Sequence, residues 1–194
     1  MLDKKIFSDF QGEVRKAYYQ FSVWLHVNNE LARLENHDLV WEMILTALEQ
    51  AYILAIARIL DPPYYDKKKK EEPRLSLKFV LENLNDPVYT KQVEQRIEEA
   101  QKTNDQSVGL VQDYRPFIAH NPLNTERKQK IKSVDYLFDE LRKIIKEIGQ
   151  RINCRHPGDP LEKENIDDLV AQSTRRLFEA VLKQNKEDED SISS

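Results

Sequence analysis

The chain has 194 residues, 40% of them hydrophobic and 33% charged. That is the size of one ordinary domain, long enough to bury a core. Four glycines and few turn dipeptides argue against a sheet protein and for long helices. A net charge of −4 weighs against a globally basic nucleic-acid binder, although a local basic patch is still enough to reach a phosphate backbone.

Cys154 is the single cysteine, so neither an intrachain disulfide nor a cysteine-based metal cluster can form, and a buried thiol is expected. Met1-Leu2-Asp3-Lys4-Lys5 lacks the apolar core of a signal peptide. The most apolar run, Met43 to Leu60, is interrupted by Glu49 and Arg58 and is not expected to span a membrane. A cytoplasmic protein with no metal, cofactor or membrane partner is therefore expected.

In chain order, Phe7, Phe10, Val14, Ala17, Phe21 and Leu25 recur three or four apart and predict an amphipathic helix. A polar stretch from Asn28 to Asp38 is expected to fray it or turn the chain. The next helix is predicted over residues 38–60. Trp41, Ile44, Leu45, Ala47, Leu48, Ala51, Leu54, Ile56 and Ile59 cover almost its whole circumference, so it should lie centrally or at a subunit interface. Asp61-Pro62-Pro63 stops it, since proline has no amide donor and clashes with the preceding turn.

The run Lys67-Lys68-Lys69-Lys70-Glu71-Glu72 reads as a solvated loop. A short helix bearing Leu75, Phe79, Val80 and Leu84 follows. Asp86-Pro87 then supplies an N-cap and a first-turn proline for a helix running to about Lys102. After a polar loop, Ile131, Val134, Phe138, Leu141, Ile145, Ile148 and Ile152 form a narrow seam suited to lengthwise packing on another helix. A last helix carries Ile166, Leu169, Val170, Leu177 and Val181. The expected organisation is one all-α domain over residues 1–183 and a disordered acidic, serine-rich tail over residues 184–194.

No Gly-rich phosphate loop, His-Glu-x-x-His or nucleophile elbow is present. Of the four histidines, His26, His37 and His156 sit in polar surroundings and suit surface roles. His120 differs. It follows Phe117-Ile118-Ala119, an apolar anchor, and stands five residues after Arg115. An imidazole beside a fixed guanidinium offers proton transfer and charge stabilisation, which metal-free attack of a ribose 2′-hydroxyl on its own phosphate requires. On a straight helix five residues turn the two side chains about 140° apart. Either Pro116 redirects the segment, or each residue meets its counterpart across a dimer axis.

Arg115-Pro116-Phe117-Ile118-Ala119-His120-Asn121 resembles the signature of the HEPN superfamily, an arginine followed after four to six residues by histidine. It is most similar to the abortive-infection-related branch, where Ile-Ala-His precedes Asn or Asp. The segment from Ala51 to Pro62, ending in Arg58-Ile59-Leu60-Asp61, is similar to that branch's second helix, and Leu75-Ser76-Leu77-Lys78 fits the short helix after it. The resemblance covers about residues 5–155 and implies an up-and-down helical bundle, often dimerised with two motifs facing one cleft.

It further implies a metal-independent endoribonuclease of a defence or toxin system that leaves 2′,3′-cyclic phosphate and 5′-hydroxyl ends. His120 would be the general acid/base and Arg115 the stabiliser of the phosphorane. Tyr114, Asn121, Arg127 and Lys128 are the candidate RNA-binding residues. A homodimer, RNA, and an antitoxin or other regulatory protein are the expected partners. The sequence departs from the pattern at Pro116, where the family often has a polar residue, and at Pro122, where some toxin members carry tyrosine. The alternatives are a non-catalytic module that binds nucleotide or RNA, and a helical protein-interaction scaffold. From Arg115 to Arg155 there are ten Lys/Arg against five Asp/Glu, a surplus of +5, which suits RNA. A solvated face of paired charges is the plain alternative.

Overall fold

The computed structural model describes residues 2–32, 39–62, 73–102, 134–154 and 159–192. Among these residues it has six helices and no strand, as the three-to-four apolar spacing predicts. They are α1 (Lys4–Leu31), α2 (Leu39–Leu60), α3 (Leu77–Leu84), α4 (Pro87–Lys102), α5 (Val134–Arg151) and α6 (Lys163–Ile192).

The helix ends follow from local chemistry. Asp3 caps α1 by accepting from the Lys5 amide, and Ser76 caps α3 through the Phe79 amide, each satisfying a donor that a helix start leaves unpaired. Asp86 accepts from the Tyr89 amide at 3.0 Å, with Pro87 in the first turn as the sequence predicts. Asn85, left-handed at φ 57°, separates α3 from α4. Rather than fraying at Asn28, α1 continues to Leu31, because Val27 and Leu31 are buried there with Leu45 and Phe178.

The central helix is α1. Phe7, Phe10, Val14, Ala17 and Phe21 are buried, and each fully buried valine or phenylalanine side chain contributes roughly 1.5–3 kcal/mol. Trp24 and Phe21 meet Tyr52 of α2, while residues 13–20 lie beside 55–59, so α1 and α2 run antiparallel. Tyr18 packs edge-on against Phe138 of α5 and Phe7 lies by Gly149, an antiparallel pairing again. α6 runs parallel to α1. Gln11 donates to the Pro160 carbonyl at 2.8 Å, and Tyr18 and Ser22 each donate to Asp167 at 2.6 Å. Burial, then this bond, pushes the Tyr18 phenol well above its ordinary range. The result is an up-and-down bundle.

Three expectations change. The α5 seam (Val134, Phe138, Leu141, Ile145, Ile148) is buried by its own chain, together with Leu137 and Ile144. Its buried face is therefore broad and needs no second subunit. α2 is not covered on most sides, since Leu39, Val40, Met43, Ile44 and Leu54 are exposed, Leu39 at 75% and Met43 at 65%. Cys154 is only half-buried.

On α6 the core face is Ile166, Val170, Thr174 and Phe178, whereas Leu169 and Leu177 are exposed. Its helical backbone continues to Ile192, through most of the stretch whose composition predicts an unfolded tail. α2 is also long and apolar enough to cross a membrane. One face of it, Leu45, Glu49, Tyr52, Ile53, Ile56, Ala57 and Ile59, is buried in the bundle.

Candidate functional site

Arg115 and His120, and with them Tyr114, Asn121, Arg127 and Lys128, lie in residues 103–133, outside the described residues. The lysine run 67–70, His37 and His156 also lie outside them. What the structure establishes is the frame from which residues 103–133 depart and to which they return.

That frame is the α4–α5 pair. Arg96 of α4 donates from Nη1 to both carboxylate oxygens of Glu147, at 3.0 and 2.8 Å, and from Nη2 to Glu140 at 3.1 Å. Tyr89, two turns earlier on α4, donates its hydroxyl to Glu147 at 2.9 Å. The Arg151 guanidinium lies 3.8 Å above the Tyr89 ring, a cation–π contact. Since Tyr89 meets residues 147–151 and Arg96 meets 140–147, the helices are antiparallel, and Lys102 and Val134 lie at the same end of the pair.

The electrostatics make this a clasp. Glu140 is buried, which alone would raise its carboxyl pKa. Hydrogen bonds from Lys143 and Arg96 outweigh burial and hold it below the ordinary carboxylate range. Burial works against the Arg96 charge too, and its bonds to Glu147 and Glu140 raise it nonetheless. The Tyr89 phenol is pushed up, first by burial and then by its bond to Glu147. Charge-assisted, forked bonds of this kind fix orientation as well as distance.

The sequence reading did not single out Tyr89 or Arg96. A signal was there: Tyr89 and Arg96 are seven residues apart, as are Glu140 and Glu147. Seven residues are close to two helical turns, so each pair shares a helix face.

The same contacts revise the basic surplus. α5 carries Arg142, Lys143, Lys146 and Arg151 against Asp135, Asp139, Glu140 and Glu147, four minus four, and is neutral. Lys143 is bound to Glu140 and Arg142 pairs with Asp159 at 3.5 Å. Lys163 of α6 reaches Asp135 and Asp139 at 2.8 and 3.0 Å. Hence the charges of α5 are mostly paired, and the surplus belongs to residues 115–133 and Arg155. His26, expected at the surface, is half-buried within α1.

Because α2 runs antiparallel to α1, and α1 to α5, α2 starts towards the same side of the bundle as Val134, although Phe138 near the start of α5 is level with Phe21 and Tyr52. The exposed Leu39, Val40 and Met43 lie further along the bundle in that direction, nine to thirteen residues before Tyr52 on α2.

Residues 4–171, most of the chain, match the family model described as AbiU2, a HEPN family. No curated protein and no solved structure matches the chain.

Proposed function

The chain belongs to the AbiU2 family of HEPN domains, and from that premise we propose that it is a metal-independent endoribonuclease of a defence or toxin system, acting as a homodimer with Arg115 and His120 at a shared cleft. The observation that carries this reading is the exposed apolar start of α2, Leu39, Val40 and Met43, a surface that a single chain leaves in water. It lies towards the same side of the bundle as Lys102 and Val134, the described residues that flank 103–133. A second copy packed on Leu39, Val40 and Met43 would remove that surface from water and bring two Arg115/His120 segments together, as closed two-fold symmetry requires.

In the proposed reaction, His120 takes the proton of a ribose 2′-hydroxyl and the 2′-oxygen attacks the adjacent phosphorus. Arg115 donates to the non-bridging oxygens as charge builds on the phosphorane. The bond to the 5′-oxygen breaks, that oxygen takes a proton, and the products are a 2′,3′-cyclic phosphate and a 5′-hydroxyl. Tyr114, Asn121, Arg127 and Lys128 would hold the strand. RNA cleavage in EDTA by wild type, and its loss in His120→Ala and Arg115→Ala, tests the proposal.

One observation favours a second reading. Pro116 follows Arg115 directly, and its fixed φ and missing amide restrict how the arginine is presented. A chain that binds RNA through the same segment without cutting it is the outcome expected if that restriction prevails. A cytoplasmic location and an antitoxin-like or other regulatory partner accord with the nuclease reading.

A further inference from the structure

Beside the middle of α1, that helix, α2 and the segment entering α3 enclose a groove of about 790 Å3. This lies within the range of small-ligand sites, about 300–1,000 Å3. Its apolar lining is Ala55, Ile59 and Leu75, and its polar lining is Glu13, Lys16, Gln20, Arg58 and Arg74. Three cations therefore face it. Two have carboxylate partners: Lys16 pairs with Glu13 at 2.6 Å, and Arg74 with Asp61 at 3.7 Å.

Arg58 is the exception. It is exposed, and among the described residues it makes neither an ion pair nor a hydrogen bond. Its place in the last turn of α2 suits the helix dipole, but the dipole does not account for two further cations in the same groove. Gln20 adds an independent sign. Its side-chain Oε1 is buried and has no hydrogen-bond donor among the described residues, a costly state for a polar atom that is normally satisfied.

We propose that this groove binds a small phosphomonoester. The phosphate takes the forked donors of Arg58, with Lys16 and Arg74 adding positive potential at the rim. The organic body lies over Ala55, Ile59 and Leu75, and one of its O–H or N–H groups donates to Gln20 Oε1. The site uses neither Arg115 nor His120, so it stands or falls independently of the nuclease reading.

The test is calorimetric titration of the full chain with adenosine 5′-monophosphate, glucose 6-phosphate, inorganic phosphate and adenosine, and with a short RNA lacking a terminal phosphate. At least one of the two phosphomonoesters should bind, and adenosine should not. Arg58→Gln should weaken that binding by about tenfold or more, the effect of one lost charge-assisted bond. Gln20→Leu should weaken the phosphomonoester but leave inorganic phosphate unchanged. Because Arg58 is exposed, its variant should keep the wild-type circular dichroism. Failure of both phosphomonoesters to bind, binding of the RNA alone, or equal affinity for wild type and Arg58→Gln would overturn the proposal.

Discussion

Arg96 on α4 grips Glu147 on α5 through two hydrogen bonds, 3.0 and 2.8 Å, from a single guanidinium nitrogen. The same side chain also reaches Glu140, so one residue sets the spacing of the two helices that bracket the Arg115/His120 segment. Arg96→Ala leaves buried Glu140 with Lys143 as its remaining partner. It should destabilise the protein by about 1–3 kcal/mol, the usual cost of leaving a buried polar group short of partners. Urea unfolding followed by circular dichroism measures it, and a midpoint equal to wild type would contradict the clasp.

The pH dependence follows from Glu140. Lys143 and Arg96 hold its folded pKa below the ordinary glutamate value, so around and below that ordinary value the unfolded chain binds the proton more readily than the folded one. Its stabilising contribution is therefore fully present above that value and fades as pH falls through the lowered folded pKa. Wild type should exceed Glu140→Gln in stability at pH 7, and the gap should shrink between pH 5 and the acid limit of folding. A gap that widened on acidification would reverse the sign and refute the assignment.

Gly149 is required by close approach. A Cβ at this position would lie 2.7 Å from the Cys154 carbonyl oxygen, a backbone atom fixed by the turn that ends α5, where the Cys154 amide bonds back to the Gly149 carbonyl at 2.8 Å. Gly149→Ala should cost about 1–3 kcal/mol, as overpacking does, despite alanine's better helix propensity. Thermal melting of the variant checks this; an unchanged or raised Tm would show that the turn yields.

Most helices were legible in the sequence because their signals are local. The stripe from Phe7 to Phe21, the Asp86-Pro87 start and the Asp61-Pro62 stop each depend on neighbours a few residues away. The roles of apolar faces were less legible. Period alone cannot say whether Ile145 and Ile148 meet their own chain or another, and here their own chain covers them. Nor does composition say which arc of α2 faces Phe21 and Trp24 and which, with Met43, faces water. The Arg96 clasp joins residues 44 and 51 positions apart, beyond any local rule. Arg115 and His120 were found through chemistry and family likeness, not through packing, and their own geometry lies outside the described residues.

Dimerisation is expected through α2. Met43→Glu together with Val40→Glu places charge on the exposed face without touching a buried residue. Wild type should scatter light as a particle of about 46 kDa, twice the 22.9 kDa chain, and the double variant as a monomer with an unchanged helical spectrum. A wild-type monomer across micromolar concentrations would count against the shared cleft.

The central claim is RNA cleavage by Arg115 and His120, and the most direct measurement is end-labelled RNA incubated with purified protein in EDTA. Wild type should produce 2′,3′-cyclic phosphate ends, and DNA of the same sequence, lacking the 2′-hydroxyl, should remain intact. His120→Ala should lower the rate by about 100- to 10,000-fold, the range for losing a general acid/base, and Arg115→Ala should also abolish cleavage, both with wild-type melting curves. Equal cleavage by His120→Ala and wild type, or an inactive wild type that still binds RNA, would contradict the account.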